Sequence, residues 1–123
     1  MSEAWKKNQP IYCQLSERML GLILQGKYPE GTAIPSVRQV ASNLNINHLT
    51  VAKAYQQLAD MELVEVRRGM GMYVLPGARE KIHRLEKEKF IAGELPALLE
   101  RIAQLDISKK ELIQYINNLH KEH

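Results

Sequence analysis

A mainly α chain carrying one small β-hairpin is the fold class that the sequence predicts. Three observations predict it. Apolar residues recur at spacings of three and four from Ile11 to Ile23, from Val37 to Leu44 and from Val51 to Leu58, the signature of helices with one buried face. The period changes to alternation only over Leu63–Val66 and Met72–Val74, on either side of a basic turn containing two glycines. From Arg79 onward the pattern is helical again.

Each element follows from its own residues. Ile11, Leu15, Met19, Leu22 and Ile23 share one stripe, so the first helix runs roughly from Ile11 to Gln25. Gly26 serves as its C-terminal cap, and Pro29 prevents continuation. Lys27–Pro35, with Pro29, Gly31 and Pro35, reads as a stiff, turn-rich connection. Ser36 caps the second helix and Gln39 completes a capping box; Val37, Val40, Ala41 and Leu44 face inward. Asn45 and Asn47 flank Ile46 in the next turn, where asparagine tolerates a left-handed backbone. The third helix starts near Asn47 and buries Val51, Ala54, Tyr55 and Leu58, leaving His48, Leu49, Ala52 and Lys53 to solvent. Arg67-Arg68-Gly69-Met70-Gly71 makes the hairpin turn, and Pro76-Gly77 closes a first domain, residues 1–76.

Residues 77–123 read as an all-helical tail. A charged helix, Arg79 to Ala92, is expected to break at Gly93–Pro96. Leu95, Leu98, Leu99, Ile102 and Leu105 then form an apolar stripe. Ser108 and Glu111 form a second capping box, opening a helix with Leu112, Tyr115, Ile116 and Leu119 inward.

Composition narrows the function classes. The chain has 123 residues, 45% of them hydrophobic, enough for one modest core or one domain with an appendage. No apolar run is long enough to span a membrane and no charged-then-apolar leader opens the chain, so a soluble, unexported, cytoplasmic protein is expected. The one cysteine, Cys13, excludes an intramolecular disulfide and suits a reducing cytosol. Residues 1–76 hold eight Lys/Arg against six Asp/Glu, and the tail nine against eight. With no bulk positive field, any contact with nucleic acid must come from a few positioned side chains. No Ser/His/Asp order, paired-carboxylate motif or phosphate-binding glycine loop appears, which speaks against an enzyme. His48 has no Cys or His at ligand spacing, so neither a metal nor a cofactor is expected.

Three helices followed by a basic hairpin is the winged helix-turn-helix arrangement. The turn locks the second helix against the third, which then protrudes, narrow enough for a DNA major groove about 12 Å wide. Ala52 and Leu49 permit close approach, while His48 and Lys53 supply polar reach. The Ser36 hydroxyl and the free N–H groups at that helix start can bind a phosphate, with Arg38 beside them. Taken singly, Ser36 is a helix cap, His48 an exposed polar residue, and Arg38, Arg67 and Arg68 solvated charges. Their combination beside a helix-turn-helix favours DNA. The rival is a winged helix used as a protein-docking module, against which the doubled arginine, Arg38 and Lys53 argue.

The string from Pro10 to Val74 resembles the N-terminal domain of the GntR family of bacterial transcription regulators. PIYCQL, GKYPEGTAIPSVRQVA, TVAKAYQQL and LVEVRRGMGMYV carry the likeness in unbroken order. The short helical tail is similar to that of the YtrA subfamily; the larger effector-binding domains of other branches, or a pyridoxal-phosphate-binding domain, would not fit after Gly77. The resemblance implies a cytoplasmic, homodimeric, DNA-binding regulator, usually a repressor, whose partners are a double-stranded operator and a second copy. It names no small-molecule effector. It implies DNA contacts at Ser36 and Arg38, at His48, Leu49 and Thr50, and along the wing from Arg67 to Gly71. Ala52 stands where many family members outside this subfamily carry a base-reading arginine, and Lys53 follows the YtrA-like pattern. His48 and Leu49 depart from the family pattern, so the operator sequence does not transfer. The candidate DNA-binding set is thus Ser36, Arg38, Asn47, His48, Leu49, Thr50, Lys53, Arg67, Arg68, Gly69 and Gly71. The candidate dimerisation set is Leu95, Leu98, Leu99, Ile102, Leu112, Tyr115, Ile116 and Leu119, because these stripes have too little of their own domain to cover them; the alternative is that these helices fold back on the first helix and bury there.

Overall fold

Short polar and glycine residues decide where the helices stop and start. In the computed structural model, which describes residues 5–121, the elements are α1 (Ile11–Leu24), α2 (Val37–Leu44), α3 (His48–Asp60), β1 (Val64–Arg67), β2 (Gly71–Val74), α4 (Ala78–Lys89), α5 (Leu95–Gln104) and α6 (Lys109–Lys121). Ser36 Oγ accepts the Gln39 N–H at 3.1 Å while Gln39 Oε1 accepts the Ser36 N–H at 3.3 Å, the reciprocal box that satisfies two otherwise unpaired donors. Asn47 starts α3 by accepting the Leu49 N–H at 2.8 Å. Four helices end alike. Gly26, Asn45, Glu62 and Asp106 take positive φ, and the N–H of the next residue donates to the carbonyl five back: Lys27 to Leu22, Ile46 to Ala41, Leu63 to Leu58 and Ile107 to Ile102. This is the Schellman ending.

One core fills the N-terminal unit. Leu15, Met19 and Ile23 of α1, Val40 and Ala41 of α2, and Val51, Ala54, Tyr55 and Leu58 of α3 are buried with Ile34, Leu63, Val64 and Val74. Val51, Ala54 and Leu58 have no exposed surface, so α3 is held by its inner stripe; Leu58→Ala would cost about 2–5 kcal/mol. The Ser16 hydroxyl bonds Gln57 Oε1 at 2.6 Å, joining α1 to α3. The buried Tyr55 hydroxyl donates to the Pro35 carbonyl at 2.7 Å, tying α3 to the residue before the α2 cap. Burial, then the neighbouring Tyr28, pushes the Tyr55 phenol far above its ordinary range.

The strands pair antiparallel, with Val64 opposite Val74, Glu65 opposite Tyr73, Val66 opposite Met72 and Arg67 opposite Gly71. The sequence expectation of Leu63–Val66 for the first strand shifts by one residue, because Leu63 N–H is engaged in ending α3. The connection read as a plain linker does more. Gly31 N–H donates to Val74 O, Val74 N–H to Thr32 O and Ile34 N–H to Met72 O, all within 2.8–2.9 Å. Residues 31–34 thereby pair along the free edge of β2 and bring the start of α2 to the hairpin.

The chain divides into two units between Arg84 and Leu85. The sequence reading places its boundary at Pro76-Gly77, but Ala78 and Ile82 of α4 are buried in the first core. Three further contacts fasten α4 there. Glu30 accepts the Arg79 N–H at 3.2 Å, Arg79 Nε donates to Leu24 O at 2.8 Å, and Lys81 Nζ donates to Met61 O at 2.7 Å.

In the second unit, the expected break at Gly93–Pro96 is corrected. Phe90–Glu94 is a π-helical turn, and Lys89 and Leu95 on either side keep helical dihedrals, so the backbone runs into α5 without a loop. Pro96 lacks an N–H and in a regular helix would strike the carbonyl four residues back; a widened turn is where such a defect is absorbed. Ser108 and Glu111 make the expected box, Glu111 N–H to Ser108 Oγ at 3.1 Å and Ser108 N–H to Glu111 Oε1 at 3.3 Å. The inward placement of the α6 stripe is also corrected: Tyr115 is 64% exposed and Ile116 and Leu119 are exposed with it, because nothing in the described part of their own unit covers them.

Candidate nucleic-acid interface

The start of α2 is the centre of the site. Its cap, Ser36, lines one shallow depression with Val37, Arg38, Ala41 and His48. Ser36 also lines a groove with Gln39, Val66, Met70, Gly71 and Met72. The same helix start thus borders the start of α3 on one side and the hairpin tip on the other. Three predicted groups that lie far apart in sequence meet on one surface.

On α3, His48, Leu49, Ala52 and Lys53 are all exposed, as the third helix's outer face was expected to be. Leu49 is 66% exposed on a helix whose inner stripe is buried. Asn47 is committed to its cap, and Thr50 is half-buried with its N–H bonded to Asn47 O; both belong to the framework that aims the first turn. At the hairpin, Met70 N–H closes the turn on Arg67 O at 2.8 Å, with Gly69 at φ 76°, a conformation side-chain-bearing residues rarely adopt. Nothing lies within 4 Å of where a Cβ would stand on Gly69 in the turn or on Gly71, which the structure makes the first residue of β2 rather than part of the turn, so backbone is bare at both.

The cations divide into two kinds. Among the described residues, neither Arg38 nor Arg68 has a hydrogen-bonded, ionic or aromatic side-chain partner, and both are exposed. Arg67 is held twice, by Glu65 Oε2 at 3.3 Å and by the Tyr73 ring at 4.2 Å. It is the last residue of β1 rather than part of the tip. Lys53 Nζ rests 4.2 Å from the Tyr12 ring centroid on α1. Sequence reasoning missed both tyrosines. Tyr73 was within reach of it, since Gly71 opposite Arg67 places Tyr73 on the diagonal. Tyr12 had no local signal, because only tertiary packing of α1 on α3 brings it to Lys53. Among the described residues no group of three or more His, Cys, Asp or Glu could hold a metal ion, and no helix is long and apolar enough to cross a membrane.

A family model for bacterial regulatory proteins of the gntR family matches residues 9–74, the stretch that builds α1 through β2. The chain belongs to the GntR family. This GntR chain is 30% identical to the transcriptional repressor YtrA of Bacillus subtilis, over 94% of this chain and 83% of that one. It is 26% identical to the transcriptional regulator YhcF of the same organism, over 94% of each. A solved GntR-family transcriptional regulator from Bacteroides thetaiotaomicron superposes with a TM-score of 0.74 at 35% identity, covering 92% of this chain and 99% of that one. The similarity therefore extends beyond the winged unit into the tail. The GntR protein is a DNA-binding transcription regulator with a winged helix-turn-helix domain, and its relatives are regulators rather than enzymes.

Proposed function

We propose that this GntR protein is a cytoplasmic repressor that binds a palindromic operator as a homodimer. One observation carries the reading: the α2 start lies between the α3 start and the hairpin tip, which supports one duplex meeting all three. In this reading Arg38, Arg68 and the Ser36-capped end of α2 meet phosphates, which fix orientation. Gly69 and Gly71 let the hairpin backbone come close to the DNA, and Arg67 flanks it. His48, Leu49 and Lys53 face base edges, with Asn47 and Thr50 aiming the turn that carries them.

The repressor role is supported by the likeness to YtrA, which bears that description. A homodimer is supported by the second unit. Leu98, Leu99, Tyr115, Ile116 and Leu119 are exposed, with Leu95, Ile102 and Leu112 partly so; a second copy covers them and supplies the two-fold axis that paired half-sites require. The docking-module alternative has no observation of its own in its favour. Selection of bound sequences from a random duplex pool tests the proposal. Recovery of a palindrome is expected, with half-site centres about one helical turn, or a multiple, apart. Recovery of unordered sequences would refute it.

A further inference from the structure

Lys53 is held by a ring rather than by an acid. Its ammonium sits 4.2 Å from the centroid of Tyr12, and among the described residues this is the one partner of that ammonium. The distinction matters for a cation that must act on something else. A carboxylate would fix the head group and cancel its charge. A ring attracts it through the quadrupole and leaves both the charge and the outward N–H donors free. Tyr12 is itself fixed, being the second residue of α1 and half-buried. Its helix is locked to α3 through buried Leu15 and Met19 and the Ser16–Gln57 hydrogen bond. An unheld lysine samples many rotamers and loses them on binding, whereas a held one has already lost them.

We propose that Tyr12, on α1 and outside both the helix-turn-helix and the wing, is a positioning residue that presets Lys53 for a hydrogen-bond acceptor on a base edge. It thereby sharpens sequence preference without touching the base itself. The inference rests on the proposed entry of α3 into the groove.

The experiment is a double-mutant cycle on the full chain, titrating each variant against the selected duplex and a scrambled one. Tyr12→Leu should lower the preference for the selected duplex about three- to tenfold, while Tyr12→Phe, which keeps the ring, should hold it near wild type. Tyr12→Leu should cost nothing further once Lys53→Ala is present. A thermal melt of each variant verifies folding, and the Lys53 ε-methylene NMR signals should move downfield in Tyr12→Leu as they leave the ring. Independent, additive losses from Tyr12→Leu and Lys53→Ala would overturn the inference while leaving the proposed function intact. So would a Tyr12→Phe loss as large as that of Tyr12→Leu, since it would assign the effect to the hydroxyl. A wild-type chain without any sequence preference would overturn both readings.

Discussion

Arg38 and Arg68 are exposed cations that no side chain among the described residues engages, and this makes them the clearest candidates for phosphate contacts. A contact of that kind releases counterions irrespective of sequence. Arg38→Ala and Arg68→Ala should each weaken binding to all duplexes alike and lower the slope of log affinity against log salt by about one unit. Titrations at several salt concentrations measure it, and an unchanged slope would remove that arginine from the interface. Arg67 belongs to a different class, since it must leave Glu65 before it can give its full charge to DNA; its alanine variant should change the slope by less. His48 and Leu49 should behave oppositely to Arg38 and Arg68. His48→Ala should cost about 1–3 kcal/mol on the selected duplex and relax preference at one position, and Leu49→Ala should chiefly affect an A·T pair through its thymine methyl. If these two variants and Lys53→Ala all keep the wild-type ratio of selected to scrambled affinity, the reader is the wing rather than α3. At this scale the sequence is informative about residue type and exposure but not about engagement. Arg67, Arg68 and Lys53 look alike in a string of letters, and only packing separates the two held by tyrosines from the one that has no partner among the described residues.

At the scale of elements, the helix ends were legible because they are local. The boxes at Ser36 and Ser108 and the left-handed turn at Asn45 depend on residues at most five apart. The two other left-handed endings were not legible, since Glu62 and Asp106 are not residues that favour the conformation as glycine does. That mismatch yields a stability prediction: Glu62→Gly should raise the unfolding free energy by about 0.5–1 kcal/mol by removing the positive-φ cost, net of glycine's own entropy. A lower denaturation midpoint for the variant would show that the Glu62 side chain stabilises in some other way. The α4 anchor gives a pH-dependent counterpart. Glu30 accepts N–H groups first from Gly77 and then from Arg79, which hold its carboxyl below the usual value. A carboxylate depressed on folding stabilises above its unfolded pKa of about 4.3 and loses that contribution as pH falls through the folded value. Wild type should therefore melt above Glu30→Gln at neutral pH, and the two should converge as pH falls through the lowered folded value. A constant gap across that range would mean that the charge of Glu30 contributes nothing. Such pairings across long separations, like the 31–34 ladder on β2, leave no periodic trace and so escape a reading of sequence alone.

For the molecule as a whole, the decisive question is what covers the second unit. Leu99 and Ile116 are 49% and 48% exposed, one on α5 and one on α6. Burying a side chain of this size is worth about 1.5–3 kcal/mol, so several left open on two helices amount to a strong drive toward association. Placing a charge at each site removes that drive and adds the cost of burying an unpaired carboxylate in any dimer. A lone chain, in which both positions already face water, should hardly notice. The variant Leu99→Glu/Ile116→Glu is therefore expected to sediment as a monomer with the winged unit's thermal transition preserved, while wild type sediments as a dimer. DNA binding adds a second, independent readout. A dimer gains from the second half-site, so randomising one half of the selected duplex should cost wild type on the order of several kcal/mol. The monomeric variant should bind intact and half-randomised duplexes nearly alike, because each copy reads one half on its own. If the double variant remains a dimer, the two-fold contact lies elsewhere, and the exposed faces of α5 and α6 have some other partner. If it becomes a monomer yet keeps the wild-type penalty for a randomised half, cooperation arises from copies meeting on the DNA through their winged units.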